Sequence, residues 1–295
     1  MGYFRGGRVT AKSDTGPGSL PSADFTRILS QDYAQYFKPD QGPVVSVVIP
    51  VFEGTSEAKR VREIEEQEFR GAMWSLIHNN RPMVATEIVL VVNGLSPESS
   101  RFCTFGRQIG VRVVARVHGD GRNYDPRPQN IFRSRQAGLE QARGDIILHA
   151  DSDNLFSDQW INAYYMAYRD NPELLLAYGP VAMYGATNFW GHLLQGLSLT
   201  AKTVQILRGR PRYAGPNHAM RRRAAEMLPG LYGLCREHEN EIPRLIAHAT
   251  GFAPTAITAL VHEAKVSTRM GKQKETFSGF CRWLGERVRV NFLAR

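Results

Sequence analysis

Four short runs of β-branched and aliphatic residues, each closed by a breaker or a polar turn, fall in the first half of the chain and constrain its architecture most. They are Val44-Val45-Ser46-Val47-Val48-Ile49-Pro50, Glu87-Ile88-Val89-Leu90-Val91-Val92-Asn93-Gly94, Val111 to Val117, and Asp145-Ile146-Ile147-Leu148-His149-Ala150. Runs of this length, apolar at successive positions, read as strands buried on both faces. Helical spacing separates them, over Ser56 to His78 between the first two and over Asn130 to Gln141 before the fourth. Strand, helix, strand order with continuously apolar strands favours parallel pairing. The expected fold class is α/β, a mostly parallel central sheet flanked by helices.

The flanks read differently. Residues 1–42 are rich in Gly, Ser, Pro and Asp and read as a flexible or loosely docked N-terminal arm, with a short helix over Phe25 to Tyr36. Beyond Asp153 the expected elements are a helix over Asp158 to Arg169, an apolar stretch from Leu174 to Met183, and a helix near Asn188 to Leu207. Apolar residues recur at helical spacing from Phe277 to Phe292 among Arg282, Arg287 and Arg289, which makes residues 266–295 a basic amphipathic, helical C-terminal extension.

The charge is uneven. Lys and Arg total 37 against 28 acidic residues, a formal net charge of +9. Arg208 to Arg223 carries six arginines and no acid, so the excess collects late in the chain. Such a surplus attracts polyanions, nucleotides or an anionic membrane face. Three scattered cysteines, Cys103, Cys235 and Cys281, exclude a disulfide framework and a tetrahedral zinc site. No apolar run follows Arg5 and Arg8, and no window approaches the roughly 18 apolar residues of a spanning helix. The expectation is a cytoplasmic protein. Its amphipathic tail would pack on the domain, join a homodimer, or rest on a membrane as a peripheral contact.

In a parallel sheet, ligands bind at the carboxyl ends of the strands. Phe52 and Glu53 follow the first run, Asn93 ends the second, and Asp151-Ser152-Asp153 follows the fourth. Two carboxylates at i and i+2 leaving a strand through a turn suit one hard cation and the diphosphate it neutralises, although an isolated Asp-x-Asp also caps turns. No Gly-x-Gly-x-x-Gly follows a strand and no Walker lysine motif is present, which argues against dehydrogenase and P-loop readings.

These pieces together resemble the family 2 glycosyltransferases. The resemblance rests on Val45 to Pro50 with Glu53, then Glu87 to Asn93, Ser134-Arg135-Gln136-Ala137-Gly138-Leu139, Ala142-Arg143-Gly144-Asp145, Asp151-Ser152-Asp153, and Gly215-Pro216-Asn217-His218-Ala219-Met220-Arg221-Arg222, in that order over roughly Val44 to His262. It implies a GT-A type, Rossmann-like fold over residues 43–265, with a nucleotide-binding half at 43–153 and an acceptor-binding half at 154–265. The implied reaction is inverting transfer, of hexosyltransferase type, from a nucleoside diphosphate sugar, UDP foremost. Its implied acceptor is a hydroxyl on a glycan, a lipid-linked or another anionic molecule.

Carried over by position, Pro50, Phe52 and Glu53 would line the nucleoside pocket, Asp151 and Ser152 would lie near the ribose and metal, and Asp153 would ligate Mn²⁺ or Mg²⁺. Arg135 would hold the nucleotide or serve as a helix cation. Asn93 stands where the family usually has a base-reading aspartate. Glu239 falls where the catalytic base should be, within His238-Glu239-Asn240-Glu241, and Glu237 is the alternative; a solvated helix start is the other reading of these acids. His262 would complete the metal shell or be structural. Arg269, in Ser267-Thr268-Arg269, would close over the diphosphate or lie in a solvated loop, and Asn217 and His218 would face sugar and acceptor.

Other readings compete. A nucleotidyltransferase would carry a Gly-rich basic loop after the first strand, where this chain has Val51-Phe52-Glu53-Gly54. The charge also fits a non-catalytic nucleic-acid-binding protein, or transfer of sugar to nucleic-acid bases.

Overall fold

The computed structural model of the protein describes residues 22–53, 59–94, 96–117, 128–184, 217–227 and 241–269, with the single positions 193 and 230. Strand β1 (Val45–Phe52) is inner in the main sheet, buried at every residue but the last. It pairs in parallel with β2 (Thr86–Gly94), which pairs in parallel with β3 (Arg112–Val117). On its other side β1 pairs in parallel with β4 (Ile146–Ala150). These are the four apolar runs.

The second half adds β5 (Leu155–Phe156), β6 (Leu176–Tyr178), β7 (Val181–Tyr184), β8 (Asn217–Arg221), β9 (Thr258–Leu260) and β10 (Val266–Arg269). The main sheet has seven strands in the order β3-β2-β1-β4-β8-β6-β9, and β5-β10-β7 forms a second, three-stranded sheet. Strand β8 runs antiparallel to both β4 and β6. The first residue of β8 therefore lies at the edge where β4 ends.

Alternation along the strands divides the core. Val47, Ile49, Ile88, Leu90 and Val92 pack with α1 (Ser22–Asp32), α2 (Lys59–Met73), α3 (Arg101–Ile109) and α5 (Trp160–Asp170). Val48, Val89, Val91 and Ile147 pack on the opposite face with Phe132 and Leu139 of α4 (Pro128–Gln141) and, after the short α6 (Arg222–Glu226), with Ile242 and Ile246 of α7 (Ile242–Thr250). A last short helix, α8 (Pro254–Ile257), leads into β9. Helix α4 approaches closely because of Gly138: a Cβ there would sit 2.3 Å from Val48 Cγ1 and 2.9 Å from Val91 Cγ2.

From Ser22 onward the expected loose arm is part of the core. Phe25, Leu29, Tyr33 and Phe37 are each 2% exposed or less. Their spacing of four residues makes one continuous stripe along α1 and the π turn Tyr33–Phe37. Tyr33 accepts the Ile88 N–H through its hydroxyl, at 3.1 Å, which ties the helix to β2.

At the amino end of the sheet, buried Glu87 links three elements. Ser46 Oγ donates to Glu87 Oε1 at 2.7 Å, Arg143 Nε donates to Oε2 at 2.9 Å, and Gly144 N–H donates to Ser46 Oγ at 2.8 Å. The Arg143-Gly144 segment is thus a structural latch, remote from the carboxyl edge. Among the described residues no helix is long and apolar enough to cross a membrane. The helix expected near Asn188 to Leu207, apart from position 193, lies outside the described residues, as do Arg208 to Gly215, residues 270–295, Glu237 and Glu239.

Candidate functional site

The carboxyl ends of β1, β2 and β4 share one edge, with Asn217 of β8 in register beside Ala150. Phe52, Glu53, Asn93, Asp151, Ser152 and Asp153 gather along it. The first two strand ends come close enough that Glu53 N–H donates to Asn93 O at 2.9 Å. Gly94 adopts φ +121°, and a Cβ on it would lie 2.2 Å from Glu53 O, so only glycine fits there.

Asp151 is the first residue after β4. Strand alternation puts it on the α4 side with Ile147 and His149, and there Arg135 Nη2 donates to Asp151 Oδ1 at 2.7 Å. Arg135 is 1% exposed and Asp151 28% exposed, so a nearly enclosed guanidinium holds a carboxylate that still faces outward. Gly138, one helical turn beyond Arg135, allows the close approach that this pairing needs.

Asp153 lies past the turn that contains Ser152, and Thr268 Oγ1 of β10 donates to Asp153 Oδ2 at 3.3 Å. Burial, then the Asp151 carboxylate and Glu68, push the Asp153 carboxyl up to about 6. Two carboxylates this near, one of them disfavoured as an anion, form a donor set that a hard divalent cation relieves. Among the described residues no three His, Cys, Asp or Glu groups converge to hold a metal. A two-carboxylate site suits Mg²⁺ or Mn²⁺ completed by phosphate oxygens and water.

Glu53 is buried and turned toward α3. Its Oε2 accepts from the Ser100 hydroxyl, and its Oε1 accepts the Arg101 N–H at 3.2 Å, which caps the helix at its positive end. Arg101 Nε also lies 3.2 Å from Glu53 Oε1. Asn93 is 1% exposed, and its Nδ2 donates to Val51 O and Val91 O, both at 3.4 Å. An aspartate there would set a charge against two carbonyls, which explains the amide. Asn93 Oδ1 accepts from Arg116 Nη1 at 3.3 Å. Pro50 is buried within β1, beyond the pairing with β4, which ends at Val48. Phe52 at the strand tip is only part-buried.

Asn217 and His218, expected to face sugar and acceptor, are both 0% exposed. Asn217 uses its whole amide within the fold: Oδ1 accepts from Trp160 Nε1 at 2.9 Å and Tyr164 OH at 2.8 Å, and Nδ2 donates to Pro180 O at 3.0 Å and Ala264 O at 2.7 Å. His218 stacks on His149 with ring centroids 4.7 Å apart. Burial, then His218 and Arg135, hold the His149 imidazole well below its ordinary pKa. Neither expected acceptor contact opens to the surface.

The described arginines of the basic run engage the fold itself. Arg221 donates to Leu174 O, Arg222 to Ala142 O and Gly144 O, and Arg223 to Pro172 O, with Glu173 3.6 Å from Arg223. These arginines chiefly satisfy backbone carbonyls at element ends. His262 is exposed in the turn after β9, and Arg269 ends β10.

Sequence reading does not single out Arg116, and it names Thr268 only within Ser267-Thr268-Arg269, the segment around Arg269. Arg116 follows from applying the strand-end rule to β3. Thr268 has no sequence signal as a partner of Asp153, because their approach depends on the pairing of β10 with β5.

Residues 46–228 match the model of glycosyl transferase family 2. The chain is similar to the crystal structure of glucosyl-3-phosphoglycerate synthase from Mycobacterium tuberculosis in complex with Mn²⁺, uridine diphosphate and glucosyl-3-phosphoglycerate, with 16% identity, a TM-score of 0.53, and coverage of 90% of this chain and 83% of that chain. A complex of that synthase with Mn²⁺ and uridine-diphosphate-glucose gives 17% identity, a TM-score of 0.51, and coverage of 90% and 82%. No curated protein matches the chain.

Proposed function

The chain belongs to glycosyl transferase family 2 and is a glycosyltransferase of GT-A fold, and from that premise we propose that it carries out inverting transfer from a UDP-sugar to a hydroxyl acceptor, dependent on Mn²⁺ or Mg²⁺. The observation that carries this reading is the pair of carboxylates after β4, Asp151 held by Arg135 and Asp153 disfavoured as a free anion.

In this proposal Asp153 and Asp151 hold the cation. Bound there, it neutralises charge that develops on the departing diphosphate. Arg135 orients Asp151 from below and keeps a positive charge beneath the site. Glu53 and Asn93 shape the floor between the first two strand ends, with Phe52 at the rim and Arg116 offering donors to acceptor atoms of the base or ribose. Arg269, at the end of the strand that carries Thr268, draws on the diphosphate. Glu239 takes the proton of the acceptor hydroxyl as the attacking oxygen forms its bond to the anomeric carbon on the face opposite the leaving group. His262 is not needed for this reading.

The experiment is a donor screen. The protein is incubated with Mn²⁺ or Mg²⁺ and UDP-, GDP-, CDP- and dTDP-sugars, and slow hydrolysis is followed by release of the nucleoside diphosphate. The proposal expects metal-dependent hydrolysis of a UDP-sugar. Glu239→Gln should retain donor affinity while transfer is abolished, and retained transfer would move the base to another residue.

A further inference from the structure

Asn217 connects the strand edge that leads to Asp151 with the segment that leads into β10. In register beside Ala150, it stands one residue from Asp151 across the β4–β8 pairing. Its Nδ2 reaches in the other direction, to Pro180 O and Ala264 O. Pro180 O also accepts the N–H of Val266 at 3.1 Å, the first residue of β10. Two residues further along β10, Thr268 donates to Asp153. The acceptor side of the Asn217 amide is fixed independently by Trp160 and Tyr164 on α5. The space around it is closed: a Cβ on Gly179 would lie 2.0 Å from Ala264 O and 2.3 Å from Asn217 Nδ2.

We propose that Asn217 is a positioning residue for the transfer reaction: by fixing the start of β10 against Pro180 and Ala264 it sets Thr268, and Thr268 sets the Asp153 carboxylate for the cation. The assignment rests on the metal-dependent reaction proposed above. The amide is suited to this task because it offers two donors to two carbonyls and accepts two bonds from a second element, which neither aspartate nor a hydroxyl residue can do. A short strand such as β10, paired over two residues with β5 and four with β7, gains its register from such an anchor.

The test measures the Mn²⁺ concentration that gives half-maximal UDP-sugar hydrolysis, together with kcat and KM for the donor. Variants are Thr268→Val, Thr268→Ser, Asn217→Asp and the milder Tyr164→Phe, with circular dichroism and melting to confirm folding. The loss of one hydrogen bond to a charged acceptor predicts about a tenfold higher half-saturating Mn²⁺ in Thr268→Val, with Thr268→Ser near wild type. Asn217→Asp and Tyr164→Phe should shift the same quantity in the same direction. Combining either with Thr268→Val should add little, because the two act on one carboxylate.

Unchanged metal dependence in folded Thr268→Val, or shifts at position 217 or 164 that add fully to it, would overturn the assignment. If Asn217→Asp does not fold, Tyr164→Phe carries the same test. A wild-type protein without metal-dependent hydrolysis contradicts the proposed function itself, and the inference with it.

Discussion

Arg135 and Asp151 meet at 2.7 Å across the α4–β4 packing, with the guanidinium almost fully enclosed and the carboxylate at the edge of the site. A buried cation that reaches a partly exposed anion gives a fixed anchor from which the rest of the strand-end loop takes its position. Removing one partner leaves the other charge uncompensated, which costs more than the pair contributes.

Arg135→Met therefore should destabilise the fold by about 3 kcal/mol, the low end of the range for breaking a buried pair because Asp151 can still reach water. Donor binding should fall with it. Urea unfolding at neutral pH measures the first effect and calorimetric titration with UDP and Mn²⁺ the second. Unchanged stability would mean that the ion pair does not hold α4 against β4.

Asp153→Asn separates stability from function. The folded carboxyl is raised to about 6 from an ordinary value of 3.8, so the charged form is disfavoured by the fold. Its unfavourable contribution is absent below the unfolded pKa and grows as pH rises through the folded one. The metal-free Asn variant should melt above wild type at pH 8 and converge with it near pH 4, while losing metal-dependent donor binding. A lower melting temperature at pH 8 would contradict this picture of the site.

Glu87 gives the opposite pH behaviour. Burial raises its pKa, but the Ser46 hydroxyl and the Arg143 N–H and guanidinium outweigh that and hold it below its ordinary value of 4.5. Its stabilisation is therefore present above the unfolded pKa and lost as pH falls through the folded one. Glu87→Gln should cost about 2 kcal/mol at pH 7, since Arg143 and Arg112 are exposed enough to return to water, and less as the pH is lowered below 4.5. Denaturant curves at pH 7 and pH 4 decide it.

Much of the architecture of the first half was legible because it is written locally. The apolar runs are long enough to be strands wherever they fall, and Asp151-Ser152-Asp153 follows one of them directly. The docking of α1 was hidden by averaging: four buried residues spaced by four were outweighed by the surrounding Gly, Ser and Pro. Strand β8 is not among the elements expected from sequence, since its antiparallel insertion between β4 and β6 is a non-local choice. The same limit applies to Asn217, whose motif implied a place facing sugar and acceptor and not the inward direction of its amide. The charge of Arg221 to Arg223 is visible in the sequence, which does not show the carbonyls those side chains satisfy.

The central claim is that the carboxylates after β4 bind a UDP-sugar through a divalent cation, and calorimetric titration of UDP-glucose tests it most directly. The account predicts binding in Mn²⁺ that is lost on chelation and in a folded Asp153→Ala variant. Binding of equal strength without metal, or in that variant, would contradict it.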